Sequence, residues 1–112
     1  MKRFYLTFLY AILITTGAWA QTPAQIDKLN DDAEDSLNQN PKAVLVQATK
    51  VKASAEAIGY KKGMARAIAI MGVASYKVDD YSKAKMLISD AATINQQISD
   101  TGNLAFCKCW LG

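Results

Sequence analysis

The stretch that decides the fold is Ile-Gly-Tyr-Lys-Lys-Gly-Met-Ala-Arg-Ala-Ile-Ala-Ile-Met-Gly at positions 58–72, because parts of it return near the end of the chain. Each returning residue lies 40 positions after its counterpart: Ile58 and Ile98, Ala65 and Ala105, Met71 and Leu111, and Gly72 and Gly112. A fixed period of this size is typical of stacked units of secondary structure rather than of a single globular core. The sequence therefore predicts a repeat protein.

The helix signals run through the whole chain after position 20. Thr22-Pro23 and Asn40-Pro41 each place a capping side chain before a proline, which is a common way for a helix to start, and Asp80 can cap another helix. Apolar residues then recur at helical spacing, and no segment alternates with the period of two that a strand needs. We predict an all-α fold with helices at about 23–38, 41–58, 63–77, 81–97 and from 103 onward.

Two of these helices carry further information. The third is apolar almost all round, so we expect neighbours to cover it on several sides. The first helix is rich in acidic residues and the segment that follows it is rich in basic residues. Adjacent antiparallel helices of opposite charge would explain this arrangement. The acidic block is Asp27, Asp31, Asp32, Glu34 and Asp35, and the basic block is Lys42, Lys50, Lys52, Lys61, Lys62 and Arg66.

Residues 1–20 have the pattern of a secretory signal peptide. Lys2 and Arg3 precede an apolar run from Phe4 to Gly17, and Ala18-Trp19-Ala20 places small residues where a signal peptidase reads them. A membrane anchor is the alternative, but about 14 residues of helix span only about 21 Å of a hydrocarbon core of about 30 Å. We predict a bacterial protein that is exported to the periplasm or secreted, with membrane contact only through this segment.

The charge that remains after cleavage is nearly balanced. Eleven Lys and Arg residues (13 less Lys2 and Arg3) oppose ten Asp and Glu residues, which leaves +1. Nucleic-acid binding requires a clustered basic face, so we predict no nucleic-acid partner.

Tyr81, Ala84 and Ala91, together with Ala65 and Gly72, resemble the key positions of a tetratricopeptide repeat (TPR). In that family, small residues at these positions allow the two helices of a hairpin to approach closely. The period of about 40 resembles a longer variant of the usual repeat of about 34 residues. The resemblance implies antiparallel hairpins stacked as an α-solenoid: a degenerate first hairpin at 23–57, the best-matching repeat at 63–97, and the first helix of an incomplete repeat at 103–112.

The resemblance also implies a concave groove that binds a protein or peptide. Its lining positions correspond here to Arg66, Ala69, Val73, Tyr76, Lys77 and Phe106. An apolar floor with arginine, lysine and tyrosine at the edges suits a peptide or a partner helix. Ala69 and Val73 stand where that family's clamp for terminal carboxylates has polar side chains, which argues against that mode of binding.

Catalytic chemistry has little support in the sequence. The chain contains no histidine, which removes the commonest general base and metal ligand. We therefore predict no enzyme activity, no cofactor and no metal. Cys107 and Cys109 are two positions apart on a helix and point away from each other, so a bridge between them has poor geometry. Small apolar packing is one explanation of these cysteines, and an intermolecular or redox role is the other.

The extent of the protein leaves a second hypothesis open. Long repeats with a Gly-Tyr-Lys-Lys-Gly linker resemble the N-terminal sensory parts of larger signalling proteins, such as histidine kinases or transcription regulators. The last predicted helix has no partner helix within the sequence, although repeats bury their apolar faces only by stacking. We therefore expect residues 21–112 to be a piece of a longer chain or to self-associate through this incomplete repeat.

Overall fold

The computed structural model describes residues 21–111, and all regular secondary structure in that range is α-helical. The five helices are α1 (Pro23–Ser36), α2 (Pro41–Ala57), α3 (Lys61–Lys77), α4 (Tyr81–Gln97) and α5 (Thr101–Leu111). The prediction of an all-α fold is confirmed for this range. The predicted signal peptide at 1–20 lies outside the described residues, and so does Gly112, the last position of the sequence repeat.

The three predicted helix caps, Thr22, Asn40 and Asp80, are confirmed by individual hydrogen bonds. Thr22 Oγ1 accepts from the Gln25 N–H at 3.2 Å. In return, Gln25 Oε1 accepts from the Thr22 N–H at 2.8 Å, which completes a capping box at the start of α1. Asn40 caps α2 through the Ala43 N–H. Asp80 caps α4 in the same way, because its carboxylate accepts from the backbone N–H three positions later.

The three links between α2 and α5 share one length and one backbone conformation. Each has three residues, and its middle residue has a positive φ: 70° at Gly59, 68° at Asp79 and 58° at Ser99. The third residue of each link donates its N–H back to the preceding helix, as Asp80 does to the Ser75 carbonyl at 2.9 Å. This pattern is the Schellman ending of a helix. The helices α2 to α5 therefore begin at 41, 61, 81 and 101, so the backbone repeats with every helix, at half the period seen in the sequence.

Ser99→Gly is expected to raise the free energy of unfolding by about 0.5–1 kcal/mol, because a side chain at positive φ is strained and glycine is not. Gly59→Ala at the equivalent position is expected to lower it by about 1 kcal/mol. A Cβ at Gly59 meets no atom within 4 Å, so this change tests the backbone alone. Urea denaturation followed by circular dichroism measures both effects. Two changes of the same sign would contradict the argument.

Two helix boundaries differ from the sequence-based expectation. The structure begins α3 at Lys61 rather than at 63, and α5 at Thr101 rather than at 103. Glycine disfavours helix interiors, so the sequence places Gly63 and Gly102 in linkers, yet both lie in the first turn of a helix. Gly63 lies against two side chains: a Cβ at this position would lie 2.6 Å from Tyr60 Cδ2 and 2.7 Å from Ile26 Cγ2 of α1. At α5 the helix starts early because Asp100 caps it through the Asn103 N–H at 3.3 Å.

The helices pack in chain order, with α1 against α2, α2 against α3, α3 against α4 and α4 against α5, and α1 also contacts α3. The central helix α3 is buried along most of its length, which confirms that its apolar surface is covered on several sides. Its buried residues are Gly63, Ala65, Ala67, Ile68, Ala69, Ile70, Met71, Gly72, Val73, Ala74 and Ser75.

The closest approach of α3 to α4 is at Gly72. A Cβ on Gly72 would lie 2.5 Å from Ile88 Cγ1 and 3.3 Å from the Ala84 carbonyl oxygen. The contact with Ile88 is far shorter than van der Waals contact and the contact with the Ala84 oxygen is tight, so a larger residue fits only if Ile88 or α4 moves. The expectation that a small residue at 72 permits a close crossing is confirmed.

Candidate functional site

A groove of about 350 Å³ opens between α1, α3 and α5. Side chains from these three helices form its walls, and Asn95 of α4 reaches its base. Such a volume lies within the range of small-ligand and peptide-anchor pockets. The lining residues are Glu34, Leu37, Arg66, Ala69, Ile70, Val73, Asn95, Asn103, Phe106, Cys107 and Trp110.

The floor and one wall of the groove are apolar. Ala69 and Val73 of α3 are buried, and their short side chains form the floor of the groove. Phe106 and Trp110 of α5 lie next to each other, with tilted rings whose centroids are 6.4 Å apart, and are 46% and 37% exposed. Half-exposed aromatic side chains are common at binding surfaces, because they add a large contact area at low cost in conformational entropy.

The opposite edge of the groove is charged. The Arg66 guanidinium of α3 donates through Nη2 to Asp31 at 2.6 Å and to Glu34 at 3.0 Å, and through Nε to Glu34 at 3.3 Å. Partial burial disfavours the charged form of Arg66, but the hydrogen bonds to Glu34 and Asp31 outweigh this effect and raise the pKa of Arg66. The acidic helix α1 thus forms its inter-helix ion pairs with α3. Of the basic block, Arg66 is the residue that pairs with the acidic block, and within residues 21–111 no ion pair joins α1 to α2.

The structure brings four of the six predicted groove residues together: Arg66, Ala69, Val73 and Phe106 line the groove. Tyr76 lies beyond the lining residues, where its ring packs edge-on against Trp110 at 5.2 Å and against Tyr81 at 5.1 Å. Lys77 is exposed and is not among the lining residues. A binding role for these six residues stays a prediction.

Several lining residues are absent from the predicted set. Glu34 comes from α1 and Leu37 from the residue that follows it, and the poor match of this segment to the resembled repeat leaves it out of the groove prediction. The acidic block of α1 is the signal that could have placed this helix at the groove. Arg66 stands in an otherwise apolar helix, and a partly buried arginine requires nearby carboxylates. Asn95 and Asn103 carry no such signal, since polar residues on helices usually face solvent.

The base of the groove contains a polar pair that is poorly satisfied. Asn95 is 1% exposed, its Nδ2 lies 3.7 Å from Cys107 Sγ, and its Oδ1 has no hydrogen-bond partner. Burial raises the pKa of the Cys107 thiol, although the contact with Asn95 lowers it in part. Both cysteines are free thiols. The packing explanation therefore applies to the buried Cys107, whereas Cys109 is exposed and packing does not account for it.

Other functional features are few in the part of the chain that the structure describes. No three His, Cys, Asp or Glu side chains there lie close enough to hold a metal ion. None of the helices in that part is both long enough and apolar enough to cross a membrane. Comparisons of the chain with models of protein families, with curated proteins and with solved structures find no match.

Proposed function

We propose that residues 21–111 form a non-catalytic, TPR-like helical-repeat module that binds a protein or peptide segment in the groove between α1, α3 and α5. The observation that carries the proposal is the groove itself: an apolar floor at Ala69 and Val73, two half-exposed aromatic rings, and a charged edge at Arg66. The backbone that repeats with every helix and the close crossing at Gly72 support the assignment to stacked hairpins, because both are what such a repeat requires.

Export is part of the proposal and rests on residues 1–20. Their basic start, apolar run and Ala-Trp-Ala ending match a signal peptide for the periplasm or for secretion. Protein expressed in a bacterial host is expected to begin at Gln21, which mass spectrometry of the intact chain measures. Protein that keeps Met1 in the membrane fraction would contradict export.

The experiment for the groove starts from a library of random peptides displayed on phage and selected on the processed chain. Phe106→Ala is expected to weaken the selected peptides about tenfold or more, because aromatic anchors usually dominate such contacts. Fluorescence anisotropy of labelled peptides measures the affinity. Met86→Ala on α4 is the matched control, since Met86 is also a large exposed apolar residue (58%) but lies outside the groove lining. Equal losses for the two variants would reject the groove as the binding surface.

A further inference from the structure

The charged edge of the groove has more negative than positive charge. Asp31 and Glu34 both contact the single guanidinium of Arg66. Asp27 is a third carboxylate beside them: it accepts from the Tyr60 hydroxyl at 2.8 Å, and its backbone carbonyl accepts from Arg66 Nη1 at 3.5 Å. Burial of Tyr60 and its bond to Asp27 together raise the pKa of that tyrosine, so it adds no charge near neutral pH. Three carboxylates against one guanidinium leave this edge with a net charge of −2.

Arg66 is not free to hold an anionic ligand. Its Nε and both Nη atoms already donate to α1, and its side chain is only 22% exposed. An incoming carboxylate would have to displace Asp31 or Glu34. Those two side chains are 62% and 45% exposed. Their remaining lone pairs can therefore accept from a ligand without breaking any contact.

The apolar part of the groove adjoins this acidic edge. Glu34 and Leu37 line the same groove as Val73, Phe106 and Trp110. A short apolar side chain can therefore occupy the floor while a neighbouring cation contacts Glu34. The exposed aromatic faces attract a cation as well, through their negative quadrupole.

We propose that the ligand of this groove is a peptide segment in which lysine or arginine neighbours an apolar side chain. The proposal rests on the proposed function, because it specifies the chemistry of the same site. Charge complementarity identifies the occupant: a basic segment balances the excess carboxylates, whereas an acidic segment meets like charge, and the one cation among the lining residues, Arg66, is already paired.

Two labelled peptides test the proposal. The first is Gly-Ser-Lys-Leu-Phe-Lys-Leu-Ser-Gly, and the second has glutamate in place of both lysines. The lysine peptide is expected to bind the processed chain at least about tenfold more tightly in low salt, and the difference should shrink as salt screens the charges. Fluorescence anisotropy titrations at two salt concentrations measure it.

Removing the excess carboxylates should change the preference. Asp31→Asn combined with Glu34→Gln leaves only Asp27 opposite Arg66 and brings the net charge of the edge to zero, so the two peptides are expected to bind about equally. The single change Glu34→Gln should give an intermediate result. Asp32→Asn combined with Asp35→Asn is the matched control, because it removes the same formal charge from α1 residues that do not pair with Arg66 (Asp32 pairs with Lys28 instead). The control should keep the preference for lysine.

The outcomes separate this inference from the proposed function. Equal binding of both peptides, weakened by Phe106→Ala, would overturn the charge inference and leave the groove as a peptide site. Preference for the glutamate peptide, or loss of the lysine preference in the control variant, would also overturn it. Binding of neither peptide would overturn the inference, and the library selection then decides independently whether the groove binds peptides.

Discussion

Replacing Gly72 by alanine is expected to lower the free energy of unfolding by about 1–3 kcal/mol, the usual cost of overpacking a well-packed core. Outside a packed contact, glycine to alanine in a helix stabilises by about 1 kcal/mol, so a loss requires a steric cause. That cause is the added Cβ, 2.5 Å from Ile88 Cγ1 and 3.3 Å from the backbone oxygen of Ala84. Ile88 can change rotamer, but the backbone oxygen moves only if α4 moves. Urea denaturation measures the effect.

Gly102→Ala is the matched control for this substitution. Gly102 is also helical, but the nearest atom to a Cβ there is Asp100 Oδ1 at 4.0 Å. The change should therefore be neutral or stabilising. A double-mutant cycle with Ile88→Ala locates the clash, because the cost of Gly72→Ala should fall when the Ile88 side chain is absent. An alanine at 72 that stabilises the protein as the one at 102 does would contradict the close crossing of α3 and α4.

Truncating Ile26 to alanine is expected to lower the free energy of unfolding by about 2–4 kcal/mol, through lost burial and the cavity left behind. Ile26 is fully buried and packs with Val51, Ala55 and Ala67, so it joins α1 to both α2 and α3. Because α1 contacts only these two helices strongly, its amide protons should also lose protection first in hydrogen exchange.

Val46→Ala on α2 is the comparison for Ile26, because Val46 is 58% exposed. Its truncation should change the free energy of unfolding by about 0.5 kcal/mol or less, as is usual for surface substitutions. Losses of similar size for the two variants would show that α1 is not held by this contact. Detachment of α1 in the Ile26→Ala variant should also separate Asp31 and Glu34 from Arg66. The loss of stability and the loss of these ion pairs can therefore be measured on the same variant.

Local signals in the sequence predict the helices well. Thr22, Asn40 and Asp80 cap the helices that they are expected to cap, because capping depends on residues within three positions. The sequence places two helix starts too late, at Gly63 and after Gly102. At Gly63 the structure shows close contacts with Tyr60 and with Ile26, and the contact with Ile26 is long-range, so no local pattern contains it.

The candidate site is less accessible to sequence reasoning. The resemblance places Arg66 in the groove, and it does line it, but its partners Asp31 and Glu34 are more than 30 positions earlier in the chain. Which acidic residues reach a partly buried arginine depends on the rotation of α1 against α3. That rotation is set by packing at residues such as Ile26 rather than by any spacing of charges.

The link geometry has a consequence for how such a chain can grow or shrink in evolution. One helix with its three-residue link is a complete backbone unit, so duplicating one unit would preserve every turn. Adding a single helix would not preserve the groove. The odd-numbered helices α1, α3 and α5 supply nearly all of its lining, and one added helix would shift every later helix from the groove side to the opposite side or back. Only a gain or loss of helices in pairs keeps the groove continuous. The same pairing is present in the sequence, where the returning residues are two helices apart while the backbone repeats with every helix.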